Sequence, residues 1–497
     1  MRPFGEWMPD IPPIENNGLT VAKNVVPGGS AYLPLPQPTV ISQTQLNARP
    51  QGGITVRDVT NSGTNHKYIG TDTKLYELED TTWTDLSAFA YSTADEDVWE
   101  FVQWDNTVIA TNFTDVIQEI SIGAGIFTSL AGTPPKARHM AIVADFLVLG
   151  NTWDATDGYQ PHRIRWSGLD NKDTWTVSSS TQADFNDLDG GDGWVERVVG
   201  GRYGYVFQSS AITRMSYVGS PLVFQLDKVE TKRGALAGGS VVQIGDNIAY
   251  LSADGFFVFN GQSSIPIGNN KVDDTFFNDN NNVLSYDPLY LSRMTAVDYP
   301  AEQIVAWSYT STNATDGIPD IILFYNYSQN SKTRWSYAAV ENHLLLSPLS
   351  QGYTLDGLDA VNLSVDALPF SLDSRVWEGN QELLGMIDAN LDLAFFNGTA
   401  YDATIETGEF QINSGNRTMV NTVRPYVDGT GTVLVQIAER NLLSESASFQ
   451  STLTVNSAGF CNTRNNSRYH RARVSISGGF KYAEGIDLVR ATKVGVR

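Results

Sequence analysis

Residues 237–269 read AGGSVVQIGDNIAYLSADGFFVFNGQSSIPIGN, and this stretch decides the fold. Three apolar runs, 240–244, 248–252 and 256–259, are separated by Gly-Asp-Asn and Ala-Asp-Gly, and a fourth run, 264–267, follows Asn-Gly. Short runs of β-branched and aromatic residues, separated by residues that tolerate a left-handed backbone, are typical of antiparallel strands joined by tight turns. The stretch therefore predicts a four-strand meander, which is the size of one propeller blade.

Similar units recur along the chain at intervals of about 35 to 55 residues, with little identity between them. Before and after the opening stretch they cover residues 54–86, 98–130, 138–176, 195–229 and 293–337, with a weaker candidate at 376–405. Repeats of this length predict a mainly β protein built on a propeller of about six blades. We expect the propeller to close partly by pairing of strands that are distant in sequence.

The two ends of the chain depart from this pattern. Residues 1–54 form a Pro-rich arm in which PDIPP at 9–13 and Pro34, Pro36 and Pro38 are expected to keep the backbone extended and unpaired. Such an arm lies along the chain's own body or along a neighbouring subunit. Residues 55–405 are assigned to the propeller, and residues 269–290 have room for one short helix. Longer alternating runs in residues 406–497 predict a C-terminal antiparallel β-sandwich or extra sheet.

The charge balance restricts the binding partners. The chain has 33 Lys and Arg residues against 55 Asp and Glu residues, a net charge of -22. An acidic surface repels nucleic acid, which argues against a protein that wraps DNA. An acidic channel would still let DNA slide without trapping it, although ordinary surface acidity explains the charge equally well.

Other features exclude several classes of protein. No apolar stretch is long enough to span a membrane, and the N-terminus lacks the apolar segment of an export signal. The single cysteine, Cys461, excludes internal disulfides and is interpreted as a buried apolar residue.

One Gly-rich loop offers carboxylates to a cation. Asp187, Asp189 and Asp192 lie in NDLDGGDG at 186–193, an oxygen-rich loop that lacks the full spacing of a calcium-binding EF-hand. A solvated loop between blades is the preferred interpretation over calcium. We also expect this acidic loop to face a channel or a neighbouring subunit.

The sequence offers little for catalysis. Residues 168–175, GLDNKDTW, are similar to the Asp-box turn of sialidase-type propellers, with Gly168 in place of Ser and Lys172 in place of Gly, but that box is a structural turn. The five histidines are isolated, and no nucleophile elbow, P-loop or dinucleotide fingerprint is present. We therefore predict no catalytic residue, no metal and no cofactor.

One basic cluster interrupts the acidic chain, and it comprises Arg464, Arg468, Arg471 and Arg473, with Tyr469 and His470 between them. Alternation places Arg471 and Arg473 on one face of a strand, where guanidinium groups pair well with carboxylates. Contact with a neighbouring subunit is the preferred interpretation; bridges within the domain and nucleic-acid binding are the alternatives.

A family resemblance extends over most of the chain. Its motifs are PDIPP at 9–13, NVVP at 24–27, PHRIRWSG at 161–168, DTW at 173–175, GA at 234–235, GFFVFNG at 255–261 and GIDLV at 485–489. In these the chain resembles the tail hub or nozzle proteins of short-tailed bacteriophages, also called packaged-DNA stabilisation proteins.

The resemblance implies a structural virion protein, made in the host cytoplasm, that forms a six-fold ring at the distal end of the tail. Such a ring lies below the portal and adaptor, binds the tail tip or plug and the fibres or spikes, and lines the channel for DNA ejection. The family is structural, so it implies no catalytic residues. The alternative is a carbohydrate-binding propeller, which would show exposed tryptophans, or a glycoside hydrolase, which needs two carboxylates at a set separation.

Overall fold

A computed structural model describes residues 1–60, 65–79, 81–278, 283–350, 382–413 and 415–495. The protein is mainly β, as the sequence pattern predicts, with one propeller and additional antiparallel sheets at the C-terminus. Five strands precede the first blade: β1 (Arg2–Pro3), β2 (Leu19–Lys23), β3 (Val25–Pro27), β4 (Tyr32–Pro34) and β5 (Pro36–Val40).

The first three blades are separate four-stranded antiparallel sheets. Blade 1 contains β6 (Gly52–Arg57), β7 (Asn65–Gly70), β8 (Leu75–Glu79) and β9 (Thr82–Asp85). Blade 2 contains β10 (Glu100–Trp104), β11 (Thr107–Thr111), β12 (Gln118–Ser121) and β13 (Thr128–Ser129). Blade 3 contains β14 (Lys136–Val143), β15 (Phe146–Asp154), β16 (Gly158–Trp166) and β17 (Asp184–Asp187).

Blades 4 and 5 have the same order, and short helices lie beside them. Blade 4 contains β18 (Val195–Val199), β19 (Gly204–Gln208), β20 (Ile212–Gly219) and β21 (Val223–Glu230). Blade 5 contains β22 (Val242–Ile244), β23 (Asn247–Ser252), β24 (Gly255–Phe259) and β25 (Ser264–Pro266), the four predicted strands of the opening stretch. The helices are α1 (Asp273–Phe277), where a short helix is expected, and the 3-10 turns Gly190–Asp192, Gly238–Ser240 and Pro288–Arg293.

Two further units complete the ring of inner strands. The first, blade 6, contains β26 (Thr295–Tyr299), β27 (Ile304–Tyr309), β28 (Ile321–Asn326) and β29 (Trp335–Ala339) and belongs to a ten-stranded sheet. The last, blade 7, contains β30 (Asn342–Ser350), β31 (Glu382–Asp388), β32 (Leu393–Ala400) and, at its edge, β5 from the N-terminal arm. Six blades are thus separate four-stranded sheets, and the expected closure by a distant strand is confirmed. The weaker candidate at 376–405 lies partly outside the described residues.

The expectation that the arm prolines prevent pairing is wrong. β5 is hydrogen-bonded to β32, with Pro36 opposite Ala400 and Pro38 opposite Phe396. Alternate residues of a strand point their N–H groups to the same side, and an edge strand needs no donors on its outer side. Two prolines spaced by two residues therefore fit an edge strand and protect it from further pairing.

The C-terminal strands form two sheets with the N-terminal arm. They are β33 (Ala403–Thr407), β34 (Arg417–Gly429), β35 (Thr432–Arg440), β36 (Ser448–Phe449), β37 (Leu453–Thr454), β38 (Cys461–Ser467), β39 (Tyr469–Ser477) and β40 (Phe480–Gly495). One sheet runs β3-β4-β40-β34-β38, with β1 on β40. The other continues blade 6 through β29-β2-β33-β39-β35-β36. Cys461 is fully buried between them, as expected for an apolar role.

Aromatic side chains pack blades 5 and 6 against each other. The Phe256 ring lies 5.0 Å from that of Trp307 and 5.7 Å from that of Trp335. Both indoles donate across the interface, Trp307 to the carbonyl of Ser240 and Trp335 to that of Ile267. Because buried indole N–H groups need partners, this packing fixes the position of blade 5.

Asp273 is the acidic group that this interface buries. Its carboxylate accepts the N–H of Phe256 at 3.1 Å, and a Cβ on either Gly255 or Gly268 would lie within 2.2 Å of it. Burial raises the pKa of Asp273 to about 7, with Asp10, Asp254 and Asp274 adding repulsion and the Phe256 hydrogen bond opposing both. The carboxyl is therefore favoured in its protonated form in the folded protein.

Replacing Asp273 with Asn should stabilise the protein near pH 8. The folded-state pKa lies above that of the unfolded chain, so this group costs stability as the pH rises from about 4 to about 7. Allowing for partial solvent screening, we expect D273N to gain roughly 1–2 kcal/mol at pH 8 and little at pH 4, measured by urea unfolding. The control D246N changes an exposed turn carboxylate of the same blade; an equal gain in that variant would contradict the assignment.

Candidate functional site: the mouth of the propeller axis

The inner strands of the seven blades surround a cavity of about 750 Å³. Many of the residues that line it lie at or near the first residue of an inner strand, β6, β10, β14, β18, β22, β26 or β30. Others, among them Phe113 and Asn151, lie near the end of the second strand of a blade. Four arginines and four carboxylates line the cavity: Arg49, Arg138, Arg197, Arg293, Glu96, Asp97, Glu100 and Glu196. Its volume is typical of a small-molecule site.

Glu100, the first residue of β10, is the hub of the cavity wall and is buried. Its Oε1 lies 2.7 Å from Nδ1 of His139 and 2.5 Å from Nη1 of Arg197, and its Oε2 accepts the N–H of Met140 at 2.9 Å. Burial favours protonation of Glu100, but Arg197, His139 and these hydrogen bonds outweigh it and lower the pKa of the carboxyl. Glu100 therefore stays ionised and links blades 2, 3 and 4.

Two other ion-pair groups lie at the rim. Arg138 pairs with Asp97 and lies 4.3 Å over the ring of Phe113. Asp95 accepts from both Arg49, at 3.3 Å, and Arg293, at 3.2 Å. Most of the cavity's arginines are therefore neutralised by carboxylates of the same chain.

Exposed aromatic rings form one side of the mouth. The ring of Tyr159 lies 5.6 Å from that of Phe113 and 6.2 Å from that of Trp194, in edge-to-face contacts. Trp194 is 56% exposed and Tyr159 is 40% exposed, although both side chains are large and apolar. Aromatic surface left in water beside a polar cavity is typical of a binding site.

Two residues of the mouth have unusual backbone conformations. Phe113 has φ 66° and Asn151 has φ 57°, both in the left-handed region. Asn151 lies where the pairing of β15 with β16 shifts register. Its amide donates to the carbonyl of Val195 at 3.2 Å, but its buried Oδ1 finds no hydrogen-bond partner among the residues that the structure describes. Such strain and unsatisfied polar atoms concentrate at functional sites.

The three carboxylates of the acidic loop all have partners within the chain. Asp187, on β17, binds Arg163 of β16 at 2.6 Å, and this hydrogen bond lowers the pKa of Asp187. Asp189 accepts the N–H of Gly191 at 3.0 Å, and Asp192 pairs with Lys228 of blade 4. Within the described ranges no group of three or more His, Cys, Asp or Glu side chains could hold a metal ion. The contacts agree with a loop that joins two blades.

The basic cluster is divided between two environments. Arg471 and Arg473 lie on one face of β39, as the alternation predicts, and both bind the buried carboxylate of Glu406 on β33. Arg473 also stacks 3.9 Å over the ring of Phe449. Arg464 lies on β38 and is exposed, and Arg468 lies between β38 and β39. Arg471 and Arg473 therefore form ion pairs within the domain, which is one of the two alternative interpretations given above.

The Asp-box-like segment has a structural role. Gly168 donates to the carbonyl of Thr174 at 2.8 Å, and the buried Trp175 indole donates to the carbonyl of Lys172 at 2.9 Å. These contacts close a turn between β16 and β17, as the sequence comparison with the box predicts.

The residues of the cavity were not predicted from the sequence. Their signal is the presence of charged residues within otherwise apolar inner strands, as in WEFV at 99–102, RHMA at 138–141 and WVERVV at 194–199. A charge inside a strand that lines the propeller axis has to face a polar cavity or a partner.

No family model matches the chain, and no curated protein matches it. Among solved structures it shows partial likeness to the computationally designed Ika8 protein, with 10% identity over 73% of this chain and 100% of that one and a TM-score of 0.37. BamB from Moraxella catarrhalis is 12% identical over 75% of this chain and 93% of that one, with a TM-score of 0.35. The extracellular domain of the hybrid two component system BT4673 from B. thetaiotaomicron is 8% identical over 83% of this chain and 47% of that one, with a TM-score of 0.42. These likenesses are too distant to bear on function.

Replacing Glu100 with Gln should destabilise the protein near neutral pH, because Arg197 then loses its carboxylate inside the cavity wall. We expect a loss of about 2 kcal/mol in the free energy of unfolding, measured with urea. Folding lowers the pKa of Glu100, so the ionised carboxylate stabilises the folded protein at any pH above the pKa that Glu100 has in the unfolded chain. This stabilisation is lost as the pH falls through the pKa of Glu100 in the folded protein. The gap between E100Q and the unmodified protein should therefore narrow in acid.

The matched control for this test is D254N, which breaks the surface pair of Asp254 with Arg233. Because both side chains of that pair are substantially exposed, the loss should stay below about 1 kcal/mol. Equal losses in D254N and E100Q would show that Glu100 is not a hub.

Proposed function

We propose that this chain is a structural virion protein that forms the distal ring, or nozzle, of a short bacteriophage tail. In that role identical subunits form a ring, expected to be hexameric, that lines the channel for DNA ejection and docks fibres or spikes. The family resemblance supports this role, and the mainly β propeller agrees with the fold that the resemblance implies.

The observation that carries the proposal is a pair of apolar surface sites on different parts of the chain. One is the tip of the β20–β21 hairpin, where Val218 is 50% and Leu222 is 61% exposed. The other is the turn between β35 and β36, where Leu442 is 54% and Leu443 is 55% exposed. A closed ring with head-to-tail contacts needs two different complementary surfaces on each subunit, and adjacent exposed apolar residues are suited to such contacts.

The charge of the chain also suits a conduit. A net charge of -22 gives an acidic surface over which phosphates are repelled, so DNA would pass without binding to specific sequences. The partners in this role are a tail adaptor near the portal, the fibres or spikes, and the tail tip or plug. No helix in the described part of the chain is long and apolar enough to cross a membrane.

The enzymatic alternative is a glycoside hydrolase with its active site in the axial cavity. Its two carboxylates would have to reach the substrate, but two of the four carboxylates on the cavity wall are not free: Asp97 pairs with Arg138, and Glu100 is buried and engaged by Arg197, His139 and a backbone N–H. A nucleophile in that state is not available to a sugar. The structural role is therefore preferred.

The ring predicts a large oligomer of the purified chain at micromolar concentration, visible by mass photometry and as ring-shaped particles by negative-stain electron microscopy. Either L222E or L443E should shift the population to smaller species, because each places a charge in the same head-to-tail contact. The control I126E adds a charge at another exposed apolar position, on blade 2, and should leave the ring intact.

The proposal fails if the unmodified chain stays monomeric at every concentration or if it releases sugars from a glycan substrate. Circular dichroism of each variant separates loss of assembly from loss of folding.

A further inference from the structure

The mouth of the axial cavity has the chemistry of a sugar site. Trp194 is 56% exposed, and the ring of Tyr159 stands at an angle of 80° to its indole, with ring centroids 6.2 Å apart. The faces of aromatic rings carry partial negative charge, so they attract the weakly positive C–H groups on one side of a sugar ring.

The neighbouring aromatic ring is held in place by ionic contacts. Phe113 is covered on one face by the guanidinium of Arg138, which in turn pairs with Asp97. Phe113 also contacts the edge of Tyr159. A bulky residue with φ 66° is strained, so the surrounding contacts have to hold it there. Tyr159 therefore has a fixed orientation beside Trp194.

The cavity wall below the rings offers a hydrogen-bond acceptor with no partner. Asn151 is 2% exposed and lines the cavity, and its Oδ1 is unpaired while its amide is anchored on Val195. An unpaired acceptor costs free energy, and a ligand hydroxyl would recover it once a rotation of the side chain brings this buried atom to the cavity surface. A sugar supplies such hydroxyls around its edge.

The charges of the cavity disfavour an ionic ligand. Arg138 and Arg197 are paired with Asp97 and Glu100, and Arg49 and Arg293 share Asp95. The four arginines are therefore taken up by carboxylates of the same chain, and Glu96 and Glu196 add negative charge to the wall, so no free cation is left on the described part of the wall to bind an anionic molecule. Burying any unpaired charge there would be costly.

We propose that this mouth binds a neutral oligosaccharide, one ring of which stacks on Trp194 beside Tyr159 while its hydroxyls reach Asn151 in the cavity. The site lies at the axial cavity of a single propeller, so it does not depend on the assembly of several subunits into a ring. In a tail protein it would place a glycan-binding site on each subunit, in addition to any site on the fibres.

The test uses the purified full chain, first on an array of neutral and anionic oligosaccharides and then by titration calorimetry with the neutral glycans that bind. We expect binding to neutral glycans, and W194A should weaken it by at least about tenfold, the loss expected for one stacking contact. N151A should weaken it by a smaller factor. The control Y482A removes another partly exposed aromatic ring, on β40 and outside the cavity lining, and should change affinity less than about twofold.

Three results would overturn the proposal: no binding to any neutral glycan at millimolar concentration, binding restricted to anionic glycans, or equal affinity of W194A and the unmodified chain. Circular dichroism of W194A checks its folding, and Y159F, which keeps the ring, should retain binding within about threefold if stacking rather than the hydroxyl is what matters. Mass photometry on the same samples shows separately whether the ring forms, so failure of one proposal leaves the other measurable.

Discussion

The pairing of β2 with two strands at once joins the propeller to the C-terminal sheets. β2 lies parallel to β29, the outer strand of blade 6, and antiparallel to β33. Trp7 is buried against this junction, with its indole donating to the carbonyl of Thr20 and its ring 5.0 Å from that of Tyr337. Because the outer edge of blade 6 is covered in this way, the blade and the C-terminal strands share one sheet and one core.

Buried ion pairs are found where strands from different parts of the chain meet. Glu406 lies on β33 and receives Arg471 and Arg473 from β39, and Arg471 also donates to Thr20 of β2 at 2.7 Å. A carboxylate taken out of water needs such partners, and here both cations come from β39, while Thr20 ties Arg471 to a third strand of the same sheet. At the propeller axis Glu100 of blade 2 has the corresponding position, with partners from blades 3 and 4. In both places a buried carboxylate and its hydrogen-bonding partners fix the relative position of the strands that carry them.

Local patterns in the sequence were sufficient to predict the strands of the blades. The turns and apolar runs of residues 237–269 correspond to β22–β25, and the short helix is found at Asp273–Phe277. Non-local contacts were not predictable in this way, because the pairing of β5 with β32 or of β2 with β29 leaves no signal in either segment alone. The prolines of β5 even predicted an unpaired segment. Prolines fit an edge strand only when they lie on the side of the strand that faces solvent, and the sequence of the segment does not show which side that is.

The candidate site was also beyond the reach of local patterns, for a related reason. Phe113, Tyr159 and Trp194 come from blade 2, blade 3 and the segment before blade 4, and each is an ordinary aromatic residue in its own stretch of sequence. Only the ring of blades brings them together. The acidic loop, in contrast, was recognisable from its composition, but its carboxylates form ion pairs within the chain, Asp187 with Arg163 of the same blade and Asp192 with Lys228 of blade 4.

The position of the N-terminal strands has a consequence for how the protein is made. Thr20 contacts Thr407, 387 residues away, and β5 completes a blade whose other strands end at Ala400. During synthesis the first forty residues emerge long before their partners, so the last blade and the shared sheet can form only when nearly all of the chain has left the ribosome. Contacts of such high sequence separation slow folding and leave strand edges exposed in the meantime. The Pro-rich composition of the arm suits this interval, because prolines keep a waiting strand from pairing with the wrong edge.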